Sequence, residues 1–223
     1  MTAKEKAKFI IEYFSAKMPH PKTDLNYRNE YELTVAVILS AQCTDKRVNQ
    51  TTPAFFQKFP DFASLAKASE QEIFELIKSI SYPNSKAKNL KKLAEIIVDK
   101  YNGKLPQTVE ELVKLPGIGR KTANVLTSVL FHQPNMPVDT HVFRVSNRIG
   151  FGKPTKTPVE TEKRLVRLFP PDYIHNVHHW LILHGRYVCK ARNPLCSECG
   201  LTVICNFYRN KNKSKKINAS QEK

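Results

Sequence analysis

The sequence lacks the long apolar segments that membrane and exported proteins need. No run among its 223 residues reaches the roughly 18 apolar residues of a membrane span, and the N-terminus, MTAKEKAKFIIEYF, has no apolar signal-peptide core. Alternating apolar and polar segments bounded by turns, which would indicate β-strands, are also absent. We therefore expect a soluble, intracellular protein that does not associate with membranes.

Acidic residues are few for the number of basic ones. The chain holds 20 Asp and Glu against 36 Lys and Arg, and its net charge is +16. The segment from Arg209 onward contributes +5 of this, so most of the excess lies elsewhere. A basic surface can simply be solvated, but a protein this basic typically faces a polyanion, most often nucleic acid.

Helical patterns fill the chain instead. Residues 31–42 are apolar on nearly every side, as in a buried helix. Capping signals precede three amphipathic segments: Ser69 with Glu72, Thr108 with Glu111, and Thr157 with Glu160, where Pro158 takes the first helical position. We predict an all-α fold, with a basic, low-complexity and disordered tail at residues 211–223.

The stretch LPGIGRKTANV, residues 115–125, places two glycines beside a Lys-Thr pair, as a nucleotide phosphate loop does. Its spacing differs from that of a phosphate loop, and no strand precedes it. It predicts instead two helices joined by a Pro-Gly-Ile-Gly turn. Gly117 and Gly119 permit positive φ and close backbone approach, and the second helix offers free N–H groups to an anion. The apolar residues expected to face each other are Leu112, Val113 and Leu115 on one side and Ala123, Leu126, Val129 and Leu130 on the other. A purely structural hairpin is the alternative.

Residues 76–90 show a similar pattern, so that Lys86 and Lys121 each begin the second helix of a hairpin. Either lysine suits a phosphate contact. For Lys121, a helix N-terminus and the neighbouring Arg120 also disfavour the ammonium form and favour a nucleophilic amine. Asp139, in MPVDTHVFRVSNRIG, suits the N-cap of a helix whose apolar face carries Val142, Val145 and Ile149.

Four of the five cysteines form the pattern C-x6-C-x2-C-x5-C: Cys189, Cys196, Cys199 and Cys205. Disulfides are not expected inside a cell, so four clustered thiolates indicate a metal site. A four-cysteine zinc site usually pairs two C-x2-C units, and only one is present, whereas four thiolates also suit a [4Fe–4S] cluster. Lys190 and Arg192 are expected to face the DNA backbone, and Cys43 to be an inert core thiol.

These segments resemble the endonuclease III family of DNA repair glycosylases, from about residue 5 to Tyr208. LPGIG is similar to the helix–hairpin–helix consensus of this family. GRK, followed by VDTH, is similar to its catalytic segments, and the cysteine spacing is similar to that of its cluster loop. The resemblance implies that Lys121 is the nucleophile, Asp139 its catalytic partner and the four cysteines ligands of a [4Fe–4S] cluster. It also implies that the turn of Gly117, Ile118, Gly119 and Arg120 grips a DNA phosphate. The histidine-rich HHWLILHGRY resembles the helix before the cluster, so its histidines are interpreted as structural.

LSAQCTDKRVN, residues 39–49, resembles a further family motif. Its glutamine, here Gln42, fills the gap left by an extruded base, while Ser40, Asp45 and His141 correspond to pocket positions. The opposite loop departs from the family, because Ser-Tyr-Pro-Asn stands where Gly-Leu/Phe-Tyr-Asn is common. Tyr82 then takes the intercalating position, and its aromatic ring can stack between bases, so the departure concerns the shape of this wedge and the lesion preference.

The resemblance implies two helical domains beside a DNA cleft, across which Lys121 and Asp139 face each other. One is a six-helix domain at residues 22–132, and the other joins residues 1–21 to residues 133–210. The implied function is that of a monomeric, bifunctional DNA glycosylase/AP lyase, which acts through a lysine Schiff base and β-elimination. Its implied partner is double-stranded DNA with abasic sites or oxidised pyrimidines such as thymine glycol.

Two other functions remain open. A monofunctional adenine glycosylase shares the hairpin, the aspartate and the cluster, but Lys121 and the absence of a further C-terminal domain disfavour it. A non-catalytic iron–sulfur protein that binds DNA would keep both the charge and the cysteines.

Overall fold

The structure of the protein, a computed structural model, describes residues 1–212, and all regular secondary structure in that range is helical. The all-α prediction is therefore confirmed. In chain order the α-helices are α1 (Ala3–Lys17), α2 (Glu30–Ser40), α3 (Asp45–Lys58), α4 (Phe62–Lys67), α5 (Glu70–Ile77), α6 (Pro83–Tyr101), α7 (Val109–Leu112), α8 (Arg120–Leu130), α9 (Thr140–Ile149), α10 (Pro158–Leu168) and α11 (Ile174–Tyr187). No helix among the described residues is long and apolar enough to cross a membrane.

The chain divides into two compact units. The hairpin unit is Thr23–Gln133 and contains α2 to α8, one helix more than the resemblance implies, because α7 is a separate single turn. The cysteine unit joins Met1–Lys22 to the chain from Pro134 onward. Short 3-10 turns at Pro171–Tyr173 and Cys196–Glu198 belong to the cysteine unit.

The core of the hairpin unit is built around α2. Every residue from Tyr31 to Leu39 is buried, as the apolar sequence of this helix predicts. Glu32 is buried with them, and the guanidinium of Arg28 donates to its Oε1 from Nη2 at 2.5 Å and from Nε at 2.9 Å. Helices α3, α6 and α8 pack against α2, while α4 and α5 pack against α6.

A helix begins at each of the three capping signals predicted from the sequence. Ser69 and the glutamate three residues later form a reciprocal capping box at α5, and the side chains of Thr108 and Thr157 cap α7 and α10. α10 has no reciprocal capping box, because the carboxylate of Glu160 accepts from the backbone N–H of Lys156 and not from that of the N-cap residue Thr157.

In the cysteine unit, the N-terminal helix closes onto segments far along the chain. Phe14 stacks on the buried Trp180 with ring centroids 5.7 Å apart, and Trp180 Nε1 donates to the carbonyl oxygen of Met18 at 2.8 Å. The buried ammonium of Lys6 donates to the carbonyl oxygens of Ile149 (2.7 Å) and Gly150 (2.9 Å). A cation at this position caps the carboxyl end of α9.

The predicted disordered tail is only partly covered by the structure. Residues 211 and 212 continue a helical segment that spans residues 206–212, so the prediction is wrong for those two. Residues 213–223 lie outside the described part of the chain.

Candidate functional site

The glycine turn joins α7 to α8, and its two glycines differ in backbone geometry. Gly117 has φ +79°, and a Cβ added there would lie 3.2 Å from Asn89 Cβ, so the position requires glycine. Gly119 is the N-cap of α8 with φ −86° and ψ 173°, an extended backbone that any residue adopts. Gly117 therefore uses the positive φ that glycine permits, whereas Gly119 does not.

Around this turn, apolar side chains anchor the backbone in the core. The side chain of Ile118 is buried, and its backbone N–H donates to the carbonyl oxygen of Leu115 at 3.2 Å. The side chain and the N–H of this residue therefore both stabilise the turn. Leu112 and Leu115 are buried as predicted. Val113 is 41% exposed and does not face α8, contrary to prediction, because the single turn α7 ends at Leu112 and directs the next side chain to solvent.

The surface of the turn is cationic. Gly117, Gly119, Arg120 and Lys121 are all exposed, and no side chain caps the amino end of α8. Helix amino ends carry partial positive charge and bind anions. This stretch therefore combines a helix amino end, an arginine and a lysine on one exposed surface, which suits a phosphate group.

Lys86, the counterpart of Lys121 in the other hairpin, is not a surface residue. Its side chain is buried, and Nζ donates to the carbonyl oxygens of Leu39 at 2.8 Å and Ala41 at 2.6 Å. Burial lowers the pKa of this ammonium, and the nearby thiol of Cys43 partly opposes that shift. The expectation that Lys86 suits a phosphate contact is wrong, because its donors are already used at the carboxyl end of α2.

Gln42 and Tyr82 both lie in turns of the hairpin unit. Each is exposed, Tyr82 by 64%, and each has a left-handed backbone, with φ 55° for Gln42 and φ 57° for Tyr82. The Ser40 hydroxyl donates to the carbonyl oxygen of Val37 at 2.8 Å, within its own helix. Asp45 is half-buried and begins α3.

In the cysteine unit, Asp139 caps α9 as the sequence predicts. Its Oδ1 accepts from the N–H of Val142 at 2.8 Å, and the carboxyl group is half-exposed. His141 follows in the first turn of α9, where Arg144 Nη2 donates to its Nδ1 at 3.2 Å. His141 also packs on α11, because a Cβ added to Gly185 would lie 2.8 Å from its Cβ.

The four clustered cysteines line one cavity, together with Arg148, His184 and apolar side chains. Burial raises the pKa of the Cys199 and Cys205 thiols and lowers that of His184 to about 4. His184 Nε2 lies 3.5 Å from Cys199 Sγ. Within the described residues, no three His, Cys, Asp or Glu side chains form a group that could hold a single metal ion.

Two arginines of α9 hold the loop that begins at the first cysteine, and the sequence analysis missed both. Arg148 donates to Cys189 Sγ at 3.4 Å and to the carbonyl oxygens of Lys190 (2.7 Å) and Ala191 (2.9 Å). Arg144 Nε donates to the carbonyl oxygen of Cys189 at 3.1 Å. Their spacing of four residues places them on one helix face, but sequence does not reveal carbonyl partners more than 40 residues away. The side chains of Lys190 and Arg192 in this loop are exposed.

Comparison with known proteins gives a consistent match. A model of the HhH-GPD superfamily of base excision DNA repair proteins matches residues 35–171. The endonuclease III of Rickettsia conorii is 47% identical over 90% of this chain and 95% of its own length, and that of Escherichia coli is 41% identical over 85% and 89%. A solved structure of a trapped endonuclease III–DNA covalent intermediate superposes with a TM-score of 0.88 at 40% identity, covering 95% of this chain and 99% of that one.

Proposed function

Because the chain belongs to the endonuclease III family within the HhH-GPD superfamily of base excision DNA repair proteins, we propose that Lys121 and Asp139 are its catalytic residues and that oxidised pyrimidines are its substrates. The protein is a DNA glycosylase with AP lyase activity, and DNA is its partner. The proposal concerns which residues perform this activity, on which lesion, and with which cofactor.

One observation carries the assignment of the nucleophile, namely the contrast between the two hairpin lysines. Lys86 is buried and bonded to two carbonyl oxygens, whereas Lys121 is exposed in the first turn of α8. Of these two lysines, Lys121 has the amine that DNA can reach. A phosphate held at the amino end of α8 would bring a neighbouring deoxyribose close to this amine.

The chemistry follows from an amine and a carboxylate acting on one deoxyribose. The Lys121 Nζ lone pair attacks C1′, and the glycosidic bond breaks with its electron pair leaving on the base, which takes up a proton. The C1′–O4′ bond of the resulting aminal then breaks, O4′ takes up a proton, and a Schiff base remains on the ring-opened sugar. Loss of a C2′ proton then expels the 3′ phosphate by β-elimination and cleaves the strand. The carboxylate of Asp139 assists removal of the ammonium proton and stabilises positive charge on the sugar.

The remaining DNA contacts are assigned to exposed residues. The turn Gly117–Arg120 holds a phosphate through its backbone, which carries no sequence preference. Gln42 fills the gap of the extruded nucleotide and Tyr82 intercalates, because its ring is exposed and a base flipped out of the stack leaves space beside it. Lys190 and Arg192 contact the DNA backbone. The enzyme is assigned to the cytoplasm, where the DNA of its bacterial relatives lies.

The four cysteines are assigned as ligands of a [4Fe–4S] cluster. A single zinc ion requires four thiolates at about 2.3 Å from one point. The four cysteines line one cavity, and Arg148 donates to Cys189 Sγ, which supports a thiolate ligand in a cluster site. The cluster would cross-link the loop from Cys189 to Cys205 and so hold Lys190 and Arg192 in place.

Borohydride trapping on abasic duplex DNA tests the assignment of Lys121. Reduction of a Schiff base gives a stable protein–DNA adduct, which we expect from the wild-type protein and not from Lys121→Ala. Lys100→Ala, which removes an exposed lysine at the far end of α6, serves as the control and should still give the adduct. Trapping that survives in Lys121→Ala would refute the assignment. Release of thymine glycol, measured against undamaged thymine in the same duplex, tests the substrate.

A further inference from the structure

Two exposed residues of the hairpin unit have backbones that side chains rarely adopt. Gln42 follows α2 with φ 55°, and Tyr82 precedes α6 with φ 57°. A left-handed backbone is unfavourable for a residue with a Cβ and persists only where its surroundings hold it. Each turn therefore requires contacts that stabilise its backbone conformation.

Lys86 bonds to both turns at once. Its Nζ donates to the carbonyl oxygen of Ala41, the residue before Gln42, at 2.6 Å and to that of Leu39 at 2.8 Å. Its backbone N–H donates to the carbonyl oxygen of Tyr82 at 3.1 Å and so closes the first turn of α6. The side chain of one residue thus holds one turn and its backbone holds the other.

The hydrogen bonds of the Lys86 side chain lie in a buried part of the hairpin unit. Lys86 is 7% exposed, and its ammonium meets the carboxyl end of α2, where free carbonyl groups favour a cation. Helix α2 is buried from Tyr31 to Leu39, so the end that Lys86 holds is fixed in the core. Movement of one turn relative to the other would require breaking buried, charge-assisted hydrogen bonds.

We propose that Lys86 is a positioning residue, which fixes the separation of Gln42 and Tyr82 and thereby sets how efficiently the duplex is opened. The inference rests on the proposed function, which assigns these two residues to the gap and to the wedge. Lys86 acts only through the two turns, because its amine is buried and already bonded. Its contribution belongs to base extrusion and not to the reaction at C1′.

The chain offers a matched control in Lys91, another lysine of α6. Its Nζ donates to the carbonyl oxygens of Ala68 at 2.9 Å and Ala66 at 3.3 Å, at the carboxyl end of α4. Lys86→Met and Lys91→Met each remove one cap of a helix carboxyl end and retain an unbranched side chain. Only the first variant releases the turn of Gln42 from α6, whose first turn keeps its backbone bond to Tyr82.

Two readouts follow base extrusion: single-turnover base removal from a damaged duplex, and the fluorescence of 2-aminopurine placed beside the lesion, which rises when bases unstack. Lys86→Met should slow base removal by about 10- to 100-fold, because misplacing groups that must be aligned has an effect of this size. It should also reduce the rise in fluorescence. Lys91→Met should leave both at the wild-type level. Borohydride trapping on abasic DNA should persist in both variants, because no base remains to be extruded.

A double-mutant background separates positioning from general loss of structure. When Gln42 and Tyr82 are both replaced by Ala, Lys86→Met should cause no further loss of base removal, since it acts through them. Should Lys86→Met fail to fold, Lys86→Gln, which is too short to reach both carbonyl oxygens, carries the same comparison. Equal effects of the Lys86 and Lys91 variants, or an unchanged penalty in the double-mutant background, would overturn the proposal. Absence of trapping by the wild-type protein would instead refute the proposed function.

Discussion

Tyr82 and Gly117 lie in the turns of two helix–turn–helix segments, and both have left-handed backbones, with φ 57° and φ 79°, but Tyr82 is the N-cap of α6 whereas Gly117 lies two residues before the N-cap of α8. In each segment a lysine follows four residues later, Lys86 after Tyr82 and Lys121 after Gly117. The lysines differ in environment, since Lys86 is buried against α2 and Lys121 is exposed. Each turn thus contains a residue at positive φ, but one hairpin directs its lysine to the core and the other to the surface.

The geometry of the glycine turn separates a folding role from a binding role. Gly117→Ala should lower the free energy of unfolding by about 1–2 kcal/mol, because alanine is strained at positive φ, and its Cβ would press on Asn89. Gly119→Ala should fold normally, since its φ is −86° and no atom lies within 4 Å of an added Cβ. Denaturant unfolding measures both.

DNA affinity then tests the backbone grip. If a phosphate approaches this turn closely, the added methyl of Gly119→Ala should weaken binding to an abasic-site duplex, measured by fluorescence anisotropy, with a loss of stability no larger than the roughly 1 kcal/mol of a poorer N-cap. Wild-type affinity in Gly119→Ala would show that the phosphate does not lie against Gly119.

The sequence predicts those parts of the fold that depend on neighbouring residues. The caps at Ser69, Thr108 and Asp139 follow from bonds that span three residues, and each forms. The buried lysines could not be foreseen in this way. Lys6 bonds to carbonyl oxygens more than 140 residues away, and Lys86 to those of α2, so their partners depend on the tertiary path of the chain.

The same limit applies to the candidate site. The cysteine spacing predicts that the four thiols lie together, because they belong to one short segment, and they do line one cavity. The donors that hold this loop, Arg144 and Arg148, lie on α9 and carry no sequence signal of their own. Neither local patterning nor spacing distinguishes an arginine bonded to carbonyl groups from one that is solvated.

Asp139 combines a helix cap with a proposed catalytic carboxylate, and substitutions can separate the two. Asparagine caps helices as well as aspartate does, so Asp139→Asn should keep the stability of the protein. It should slow base removal by about 100-fold or more, because the carboxylate charge is lost. Asp139→Ala should lose the activity and, in addition, about 1 kcal/mol of stability. Single-turnover kinetics and thermal unfolding measure the two effects.

Asp61 provides the control for this experiment. Its Oδ1 accepts from the N–H of Ser64 at 2.7 Å and caps α4 in the same manner. Asp61→Ala should cost similar stability without slowing base removal. Equal activity of Asp139→Asn and the wild type would leave Asp139 with the capping role alone.

The cluster assignment predicts different behaviour for two cysteines. Cys196→Ser should reduce the iron and acid-labile sulfide of the purified protein, bleach its yellow-brown colour and lower its melting temperature, since one of four ligands is lost. Cys43→Ser should leave the iron, the sulfide and the colour unchanged, because Cys43 lies in the hairpin unit. A colourless wild-type protein that contains zinc would contradict the assignment.

Buried histidines of α11 make the stability of the protein depend on pH. Burial, and secondarily the nearby His175, lowers the pKa of His179 from 6.5 to about 4. Between these values the unfolded chain binds a proton at His179 that the folded chain does not bind. The free energy of unfolding should therefore fall as the pH is lowered from 6.5 towards 4, by up to about 1.4 kcal/mol per pH unit for this one proton.

His179→Phe isolates this contribution, because phenylalanine keeps an aromatic ring and does not titrate. The rings of His175 and His178 lie 4.7 and 5.1 Å from that of His179, and both residues remain in the variant, as does His184. Denaturant unfolding at several pH values between 7 and 5 should show a slope smaller by up to one proton in His179→Phe than in the wild type. Identical slopes would mean that His179 is protonated to the same extent in the folded and unfolded chains, and its burial would then not contribute to acid sensitivity.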